Sequence, residues 1–410
     1  MNLARTEIPQ PNLNLKKQKS SGAGQINFGS DNLYPQECAE LFRESSTLHA
    51  VISKKADYFS GTEIESTQEP YKNAKGYGQK EIYRRCSLDY YLAGNCYVML
   101  HRVGGTVQMY HIDQGKVRRN AELSKGFLVS ANWASYRQKE YKPFEVAEYK
   151  EGETKWSTIE GKEGEFAIYH IMDYEPSFDY YGLPDWVGAT YYAKLEMLIG
   201  QFNSNMFDNG LFSSGVLRLS QEGLSPDETR RFVNDINAKL VGTEKGNSGK
   251  IIIFTGDQDT VDFTELTTSF EGSYIELKQM VEDTVISAAS WYRSLSGLST
   301  EGQLGNNQQI LNEYQIAMQD IKRTRSLILP QLDRLASEFG LWSDDYEIID
   351  EPPITISSSA LNGAQVMAMV AVAQAVGAGT LSSDAAKEIY KIGYNLSDED
   401  AEILANSLDL

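Results

Sequence analysis

The stretch that looks most like a phosphate cradle in this 410-residue sequence is Gly246-Asn247-Ser248-Gly249-Lys250. A nucleotide loop needs two glycines separated by four residues, then Lys and Ser or Thr, then a helix whose first amides point at the phosphates. Here Ile251 follows the lysine, and Lys250 to Thr255 reads as a short apolar strand. Spacing and successor are both wrong, so no nucleotide cofactor is expected. Other reactive groups are sparse. The four histidines, His49, His101, His111 and His170, form no HExxH or similar pair. The three cysteines, Cys38, Cys86 and Cys96, are odd in number and lack metal-ligand spacing. They are expected to be small buried side chains in a reducing compartment. No metal, cofactor or catalytic residue is therefore expected, and the chain is not read as an enzyme.

Composition narrows the class further. Hydrophobic residues make up 41%, enough for a globular core and too many for a disordered chain. No apolar run is long enough to predict a membrane span. Residues 1–27 lack the apolar core of a secretory signal, and their Pro, Asn, Lys, Ser and Gly predict an extended arm. The net charge is −19. A protein that coats DNA is basic, because phosphate neutralisation drives its affinity. Either this chain does not meet DNA, or DNA slides past it without sticking.

The elements that must carry any function follow from periodicity. In the first part, helices are predicted around Cys38–Phe42, over Thr47–Phe59 with Gly61 as the stop, and over Lys80–Ala93. Strands follow at Asn95–Arg102 and Thr106–Ile112 around the Gly104-Gly105 turn, then at Gly126–Trp133, Phe144–Tyr149, Thr154–Ile159 and Ala167–Ile171. This predicts α+β with a mostly antiparallel sheet. The pattern then lengthens. A helix is predicted over Asp185–Asn209, after Pro184 and before Gly210, with Leu195, Leu198, Ile199, Phe202 and Met206 on one stripe. A small α/β insert comes next. It has strands at Ser214–Leu219, Lys250–Thr255 and Thr260–Leu266, and a helix opened by Ser225-Pro226-Asp227-Glu228. A second long helix, Tyr274–Tyr292, leads to the polar loop Ser294–Asn307 and a third helix, Gln308–Phe339, kinked at Pro330. After a strand-like run at Tyr346–Ile356, short helices are predicted at Ala360–Val376, Ser383–Gly393 and Ser397–Ser407.

That order resembles the portal proteins of tailed bacteriophages, the long-tailed type in particular. Local sequence carries the resemblance: Tyr181-Gly182-Leu183-Pro184 before the first long helix, and Asn209-Gly210 through Ser214-Gly215-Val216-Leu217 after it. Gly249-Lys250-Ile251-Ile252-Ile253-Phe254 is similar to the family's clip strand, and Ser296-Gly297-Leu298 through Asn306-Asn307-Gln308 to its tunnel loop. Asp31-Asn32-Leu33-Tyr34-Pro35 and Ala50–Gly61 resemble the start of its wing. The resemblance covers about residues 31–340. It implies a portal-protein fold: an arm at 1–30, a wing at 31–184, a stem helix at 185–210, a clip at 211–270 and a second stem helix at 271–293. A tunnel loop at 294–307, a long kinked helix with more wing at 308–357 and a helical crown at 358–410 complete it.

The resemblance also implies a job and partners. A ring of this chain, twelve copies in the usual case, sits at one capsid vertex as the channel for genome packaging, retention and ejection. It is assembled in the host cytoplasm and becomes part of the virion. The implied partners are other copies of the chain, the double-stranded DNA in the channel, the terminase large subunit, the head–tail adaptor and the major capsid protein, with no membrane. The negative charge then makes sense, because a like-charged wall gives DNA no deep binding well. Candidate acids on the stem helices are Glu196, Asp208, Glu276, Glu282 and Asp283, with Arg293 at the root of the loop. The loop candidates for DNA contact are Leu295, Ser296, Gly297, Leu298, Ser299, Thr300, Glu301, Gly302, Gln303, Leu304, Gly305 and Asn306. Basic candidates facing clip partners are Arg218, Arg230, Arg231, Lys239, Lys245 and Lys250. The cluster Lys322-Arg323-Thr324-Arg325 is a further candidate for a neighbour's acidic face or DNA. Each charge has a plainer reading as a solvated face or a surface ion pair. The alternatives are another structural phage protein, such as an adaptor or connector, or an enzyme of a kind the motifs do not define.

Overall fold

The computed structural model describes residues 24–152, 155–209, 215–220, 227–228, 230–231, 251–256, 262–265, 271–298, 307–354, 363–394 and 398–406. Three helices open the fold: α1 (Tyr34–Glu44), α2 (Ser46–Ser60) and α3 (Gln79–Ala93). Ser45 caps α2 by accepting from the Leu48 amide at 3.1 Å, which satisfies one of the orphan donors of the first turn. Leu48, Val51, Ile52, Ala56 and Phe59 recur at helical spacing, and all are buried. That stripe lies along α3, whose Ile82, Tyr83 and Cys86 are buried in turn.

A mixed sheet follows, from strands β2 (Asn95–Val103), β3 (Thr106–Ile112), β4 (Val117–Arg119), β5 (Phe127–Val129), β6 (Phe144–Glu148), β7 (Ser157–Thr158) and β8 (Glu165–Met172). Its order is β3-β2-β8-β6-β5-β4, with β7 also on β8. Only β6 and β8 run parallel; the other pairs are antiparallel. Gly104 and Gly105, both at positive φ, close the β2–β3 hairpin. Tyr97, Phe127, Val146, Phe166 and Ile168 form its apolar core.

Residues 24–30, expected at the end of an arm, pack on the sheet domain. Gln25 bridges to Asn120, and the Ile26 amide donates to the Arg119 carbonyl at 2.9 Å, adding an edge to β4. Ile26 and Phe28 are buried, and Phe28 stacks on Tyr181 with ring centroids 4.3 Å apart. Two apolar residues at strand spacing were too short a signal to stand out in a polar segment.

The Tyr181-Gly182-Leu183-Pro184 turn has a steric cause. Gly94, the left-handed cap of α3, lies so close that a Cβ there would meet the Leu183 backbone at 2.4 Å. A Cβ on Gly182 would meet the Gly94 oxygen at 2.2 Å. Asn95 binds both strands of this crossing, donating to the Gly182 carbonyl at 3.1 Å and accepting from the Gly182 amide at 2.9 Å.

After a 3-10 turn at Asp185–Ala189 come α4 (Thr190–Asn209), strands β9 (Gly215–Ser220), β10 (Ile251–Gly256) and β11 (Asp262–Glu265), and α5 (Glu271–Ala288). β9 is central, parallel to β10 and antiparallel to β11. α4 and α5 pack on each other. The 3-10 turn contains Gly188, so the α-helical part begins five residues later than the sequence pattern implied. A 3-10 turn at Ser294–Ser296 precedes α6 (Asn307–Glu338), which holds Pro330 inside it. Tyr314, Ala317, Ile321, Ile328, Leu332 and Leu335 recur at helical spacing along it and are buried. β1 (Glu63–Ser66) pairs antiparallel with β12 (Tyr346–Ile349) in a separate two-stranded ribbon.

The described residues among 303–312 and 352–410 form a second compact unit. There α7 (Gly363–Gly377), α8 (Ser383–Tyr394) and α9 (Asp398–Asn406) bury Ala386, Tyr390, Ala401 and Ala405. Lys387 bridges Glu402 at 2.7 Å and Asp398 at 3.6 Å, and Lys391 holds Asp398 at 2.6 Å. No helix among the described residues is long and apolar enough to cross a membrane.

Candidate functional site

The α4–α5 pair and the turn after it hold the predicted stem charges and the start of the predicted loop, and the structure sorts these into three kinds. The first is structural. Glu196 on α4 does not face open solvent as a lining acid. Its carboxylate accepts from the hydroxyls of Ser45 (2.5 Å), Ser46 (2.6 Å) and Thr47 (3.0 Å) and from the Thr47 amide (3.2 Å). It seats on the first turn of α2, where orphan amides and the helix dipole favour an anion. The run Ser45-Ser46-Thr47 was the available signal, three hydroxyl residues where one suffices for a cap.

Lys55 makes a second joint from α2. Its buried ammonium donates to the Ala289 carbonyl at 2.8 Å, just past the end of α5, and reaches Asp185 at 3.4 Å. Burial pulls its pKa down, while Asp185 opposes the shift. A lysine between two aliphatic stripes gave no hint of this in the sequence. α2 thus holds α4 through Glu196 and the end of α5 through Lys55.

The second kind is paired charge. Arg293 reaches Glu282 at 2.8 Å and Asp283 at 3.0 Å. Glu282 also lies 3.9 Å from Lys278. So two of the acids expected on the channel wall are neutralised within the chain by the arginine expected beside them. The arginine lies 11 residues after Glu282 and 10 after Asp283, a separation that spans the helix end and the following turn and that helical spacing alone does not pair. Glu276 is exposed. Asp208 lies on α4, and its side chain is outside the described residues.

The third kind is the loop. Leu295 and Ser296 are 4% and 5% exposed, in a 3-10 turn packed against α2. Ser296 donates to the Tyr292 carbonyl at 3.0 Å, and Ser294 donates to Glu313 on α6. Leu295 and Ser296 are therefore held against α2 in the protomer. The apolar Leu295 is pinned by burial, which loop composition does not reveal. Gly297 is exposed in a left-handed conformation and Leu298 is half-buried. Ser299, Thr300, Glu301, Gly302, Gln303, Leu304, Gly305 and Asn306 lie outside the described residues.

Among the basic candidates, Arg218 sits in central strand β9, opposite Phe254 and Asp262 in register. Arg230 and Arg231 are helical and exposed. Lys239, Lys245 and Lys250 lie outside the described residues, but the strand that begins at Ile251 confirms that no helix follows Lys250. In the basic cluster of α6, Lys322 and Arg323 are exposed, whereas Arg325 is not available to any partner. It bridges Asp350 at 2.6 Å and donates to the Phe59 and Tyr58 carbonyls at 2.9 and 2.7 Å.

Buried titratable groups elsewhere are structural. His111 bonds Asp89 at 2.8 Å, and Asp89 also accepts from the Gln114 amide at 3.0 Å. Burial works against a charge on His111, but the Asp89 carboxylate outweighs it and lifts the pKa to about 9. His170 stacks on Tyr97, and burial with the nearby Arg119 charge pushes it down to about 3. Cys38, Cys86 and Cys96 are free thiols and all buried. Among the described residues no cluster of three or more His, Cys, Asp or Glu side chains is placed to hold a metal ion.

Comparison with known proteins places this arrangement. The sequence profile described as phage portal protein matches residues 74–389, most of the chain. The chain belongs to the phage portal protein family, whose members are structural proteins of the virion and not enzymes. Among curated proteins none matches the sequence. Solved structures similar to it include a chain in the virion of a native gene transfer agent particle, at 14% identity and TM-score 0.43 over 89% of this chain and 95% of that one. Another is in the neck of a native gene transfer agent particle computed with C12 symmetry, at 15% identity and TM-score 0.43 over 88% of this chain and 94% of that one. An HK97-family phage portal protein from Corynebacterium diphtheriae aligns at 14% identity and TM-score 0.38 over 67% of this chain and 82% of that one.

Proposed function

We propose that this portal protein works as a ring of twelve copies at one capsid vertex, through which double-stranded DNA enters, is held and leaves. In this reading residues 31–184 and 308–357 form the wing, α4 and α5 the stem, residues 211–270 the clip, 294–307 the tunnel loop and 358–410 the crown. The clip meets the terminase large subunit during packaging and the head–tail adaptor afterwards, and the wing meets the major capsid protein.

The observation that supports it, beyond family membership, is the α4–α5 pair. It is locked to α2 on one side through Glu196 and Lys55, yet leaves Tyr191, Leu198 and Met280 exposed. An amphipathic pair that keeps large apolar side chains outside is completed when a neighbouring copy covers them. Twelve chains of charge −19 surround the DNA with a repulsive field, which keeps its path shallow. The pairing of Glu282 and Asp283 with Arg293 shifts the expected lining charge toward Glu276 and whatever the loop presents.

Negative-stain electron microscopy of the purified protein, with light scattering for mass, tests the reading. Rings of about a dozen subunits around a central hole are expected. A compact dimer at all salt and protein concentrations overturns it.

A further inference from the structure

The longest stretch of the chain without a charge is Pro352–Ser383. Its 32 residues hold no Asp, Glu, Lys, Arg or His, although charged residues make up 23% of the sequence. The helix inside it, α7, is therefore apolar or neutral on every side. A helix of that kind belongs in an interior. The second unit gives it one on one side only. Met369, Val372 and Val376 pack on the buried Ala386, Tyr390 and Ala401 of α8 and α9. The other side stays outside: Met367 is 72% exposed and Val370 is 49% exposed. Ala371 and Gln374, one turn further along that side, are exposed as well.

α8 and α9 carry charge, but they close much of it within the unit, through Lys387 and Lys391 on Asp398 and Glu402. Between these pairs and the end of α9 lies a second apolar residue in the open. Ile403 is 61% exposed. It stands two residues from both Ala401 and Ala405, which are buried, so it lies on the far side of α9 from the core. The three helices pack pairwise, so their outer faces turn in different directions. The unit thus presents two apolar patches, Met367 with Val370 on α7 and Ile403 on α9.

What covers such a patch has to match its chemistry. The outer side of α7 offers no cation to a nucleic-acid phosphate. A second copy of this chain, at −19, is repelled by most of its neighbour's surface. The approach that costs least brings the uncharged side of α7 forward. A two-fold pair uses one patch twice, whereas a head-to-tail ring needs two different patches that meet. We propose that the Met367–Val370 side of α7 in one copy packs on Ile403 of α9 in the next, a head-to-tail contact between C-terminal helical units. This contact rests on the ring proposed above.

Cross-linking of the full chain tests it. Met367→Cys and Ile403→Cys are combined in one chain, whose own three cysteines are buried. Assembled protein is treated with a short bismaleimide and run on a denaturing gel, with electron microscopy of the same sample. The double variant should give a covalent ladder that extends beyond the dimer, and either single variant should give none. Met367→Lys should keep the helix content of the monomer by circular dichroism. It should raise the protein concentration needed for half-assembly at least about tenfold. Rings without a ladder overturn this contact and leave the ring standing. Absence of rings at every concentration overturns both. Dimers from Met367→Cys alone reveal a two-fold pairing of α7 and overturn the contact. A link confined to single chains does so too, because the patches then meet within one copy. So does a folded Met367→Lys chain that assembles like the wild type.

Discussion

The sheet domain and the α4–α5 pair solve the problem of burial in opposite ways. In the sheet domain even charge is taken inside and satisfied there. Arg118 is fully buried, and its guanidinium donates to the carbonyls of Gln114, Gly115, Val117 and Asn32 and to the side chains of Asn32 and Gln36. The helix pair closes its charges on each other in the Glu282, Asp283 and Arg293 group, of which only Asp283 is exposed, and leaves Tyr191 and Met280 about half exposed at 48% and 49%. The difference teaches that one region is specified by its own contacts, while the other has an apolar face left for something outside the monomer. Perturbing the first should cost folding; perturbing the second should cost association.

The largest effect is expected at Arg118. Burial pushes its pKa down to about 10, so it stays charged at neutral pH. Arg118→Ala strands several buried acceptors and opens a cavity, and about 3–5 kcal/mol of stability should be lost in urea unfolding. Arg118→Lys should rescue little, because a point charge cannot reproduce the fork of donors. A loss below about 1 kcal/mol would mean that water replaces the guanidinium easily, and the contrast between the two regions would fail.

His170 gives the next effect, and its sign follows from linkage. In the fold it stays neutral down to about 3, while its ordinary value is 6.5. As pH falls below 6.5 the unfolded chain takes up the proton first, so stability present above 6.5 is lost toward acid. By pH 4 the loss from this group is about 3 kcal/mol. His111 has the opposite sign: lifted to about 9, it contributes fully below 6.5 and its contribution is lost as pH rises through 9. Denaturation midpoints at pH 7 and pH 4 for the wild type and His170→Gln should differ less in the variant. Equal acid sensitivity in the two would show that carboxylates alone set the acid limb.

Where periodicity is long, the fold was legible in the sequence. The helices expected over Thr47–Phe59 and Gln308–Phe339 and the Gly104-Gly105 hairpin stand where spacing put them. The short elements were missed: β4 has three residues and β1 has four, too few to show a period. The site was less legible, because charge was read by helix and not by partner. Glu196 looked like any solvent acid on a helix, yet its partners are 149 to 151 residues away. Arg325 looked like part of a basic cluster until Asp350, beyond the end of its helix, closed on it. Leu295 and Ser296 looked like loop because Ser and Gly surround them, and only packing shows them held against α2.

The smallest effect on the monomer should carry the most weight for function. Met280 is exposed on α5, so Met280→Glu should change monomer stability by no more than about 0.5 kcal/mol. If a neighbouring copy covers that face, the same substitution buries an unpaired carboxylate at every subunit contact of a closed ring. The protein concentration needed for half-assembly should then rise by at least about tenfold, the equivalent of 1.4 kcal/mol per contact. Arg118→Ala, compared at a temperature where it stays folded, should leave that concentration nearly unchanged. Light scattering over a dilution series reads both variants. The two regions are separate in the sense argued here only if the variants cross over, one losing folding and keeping assembly, the other the reverse. If Met280→Glu assembles like the wild type, the exposed stripe of α4 and α5 faces the channel or solvent, and the surface that closes the ring has to be sought on another face of these helices.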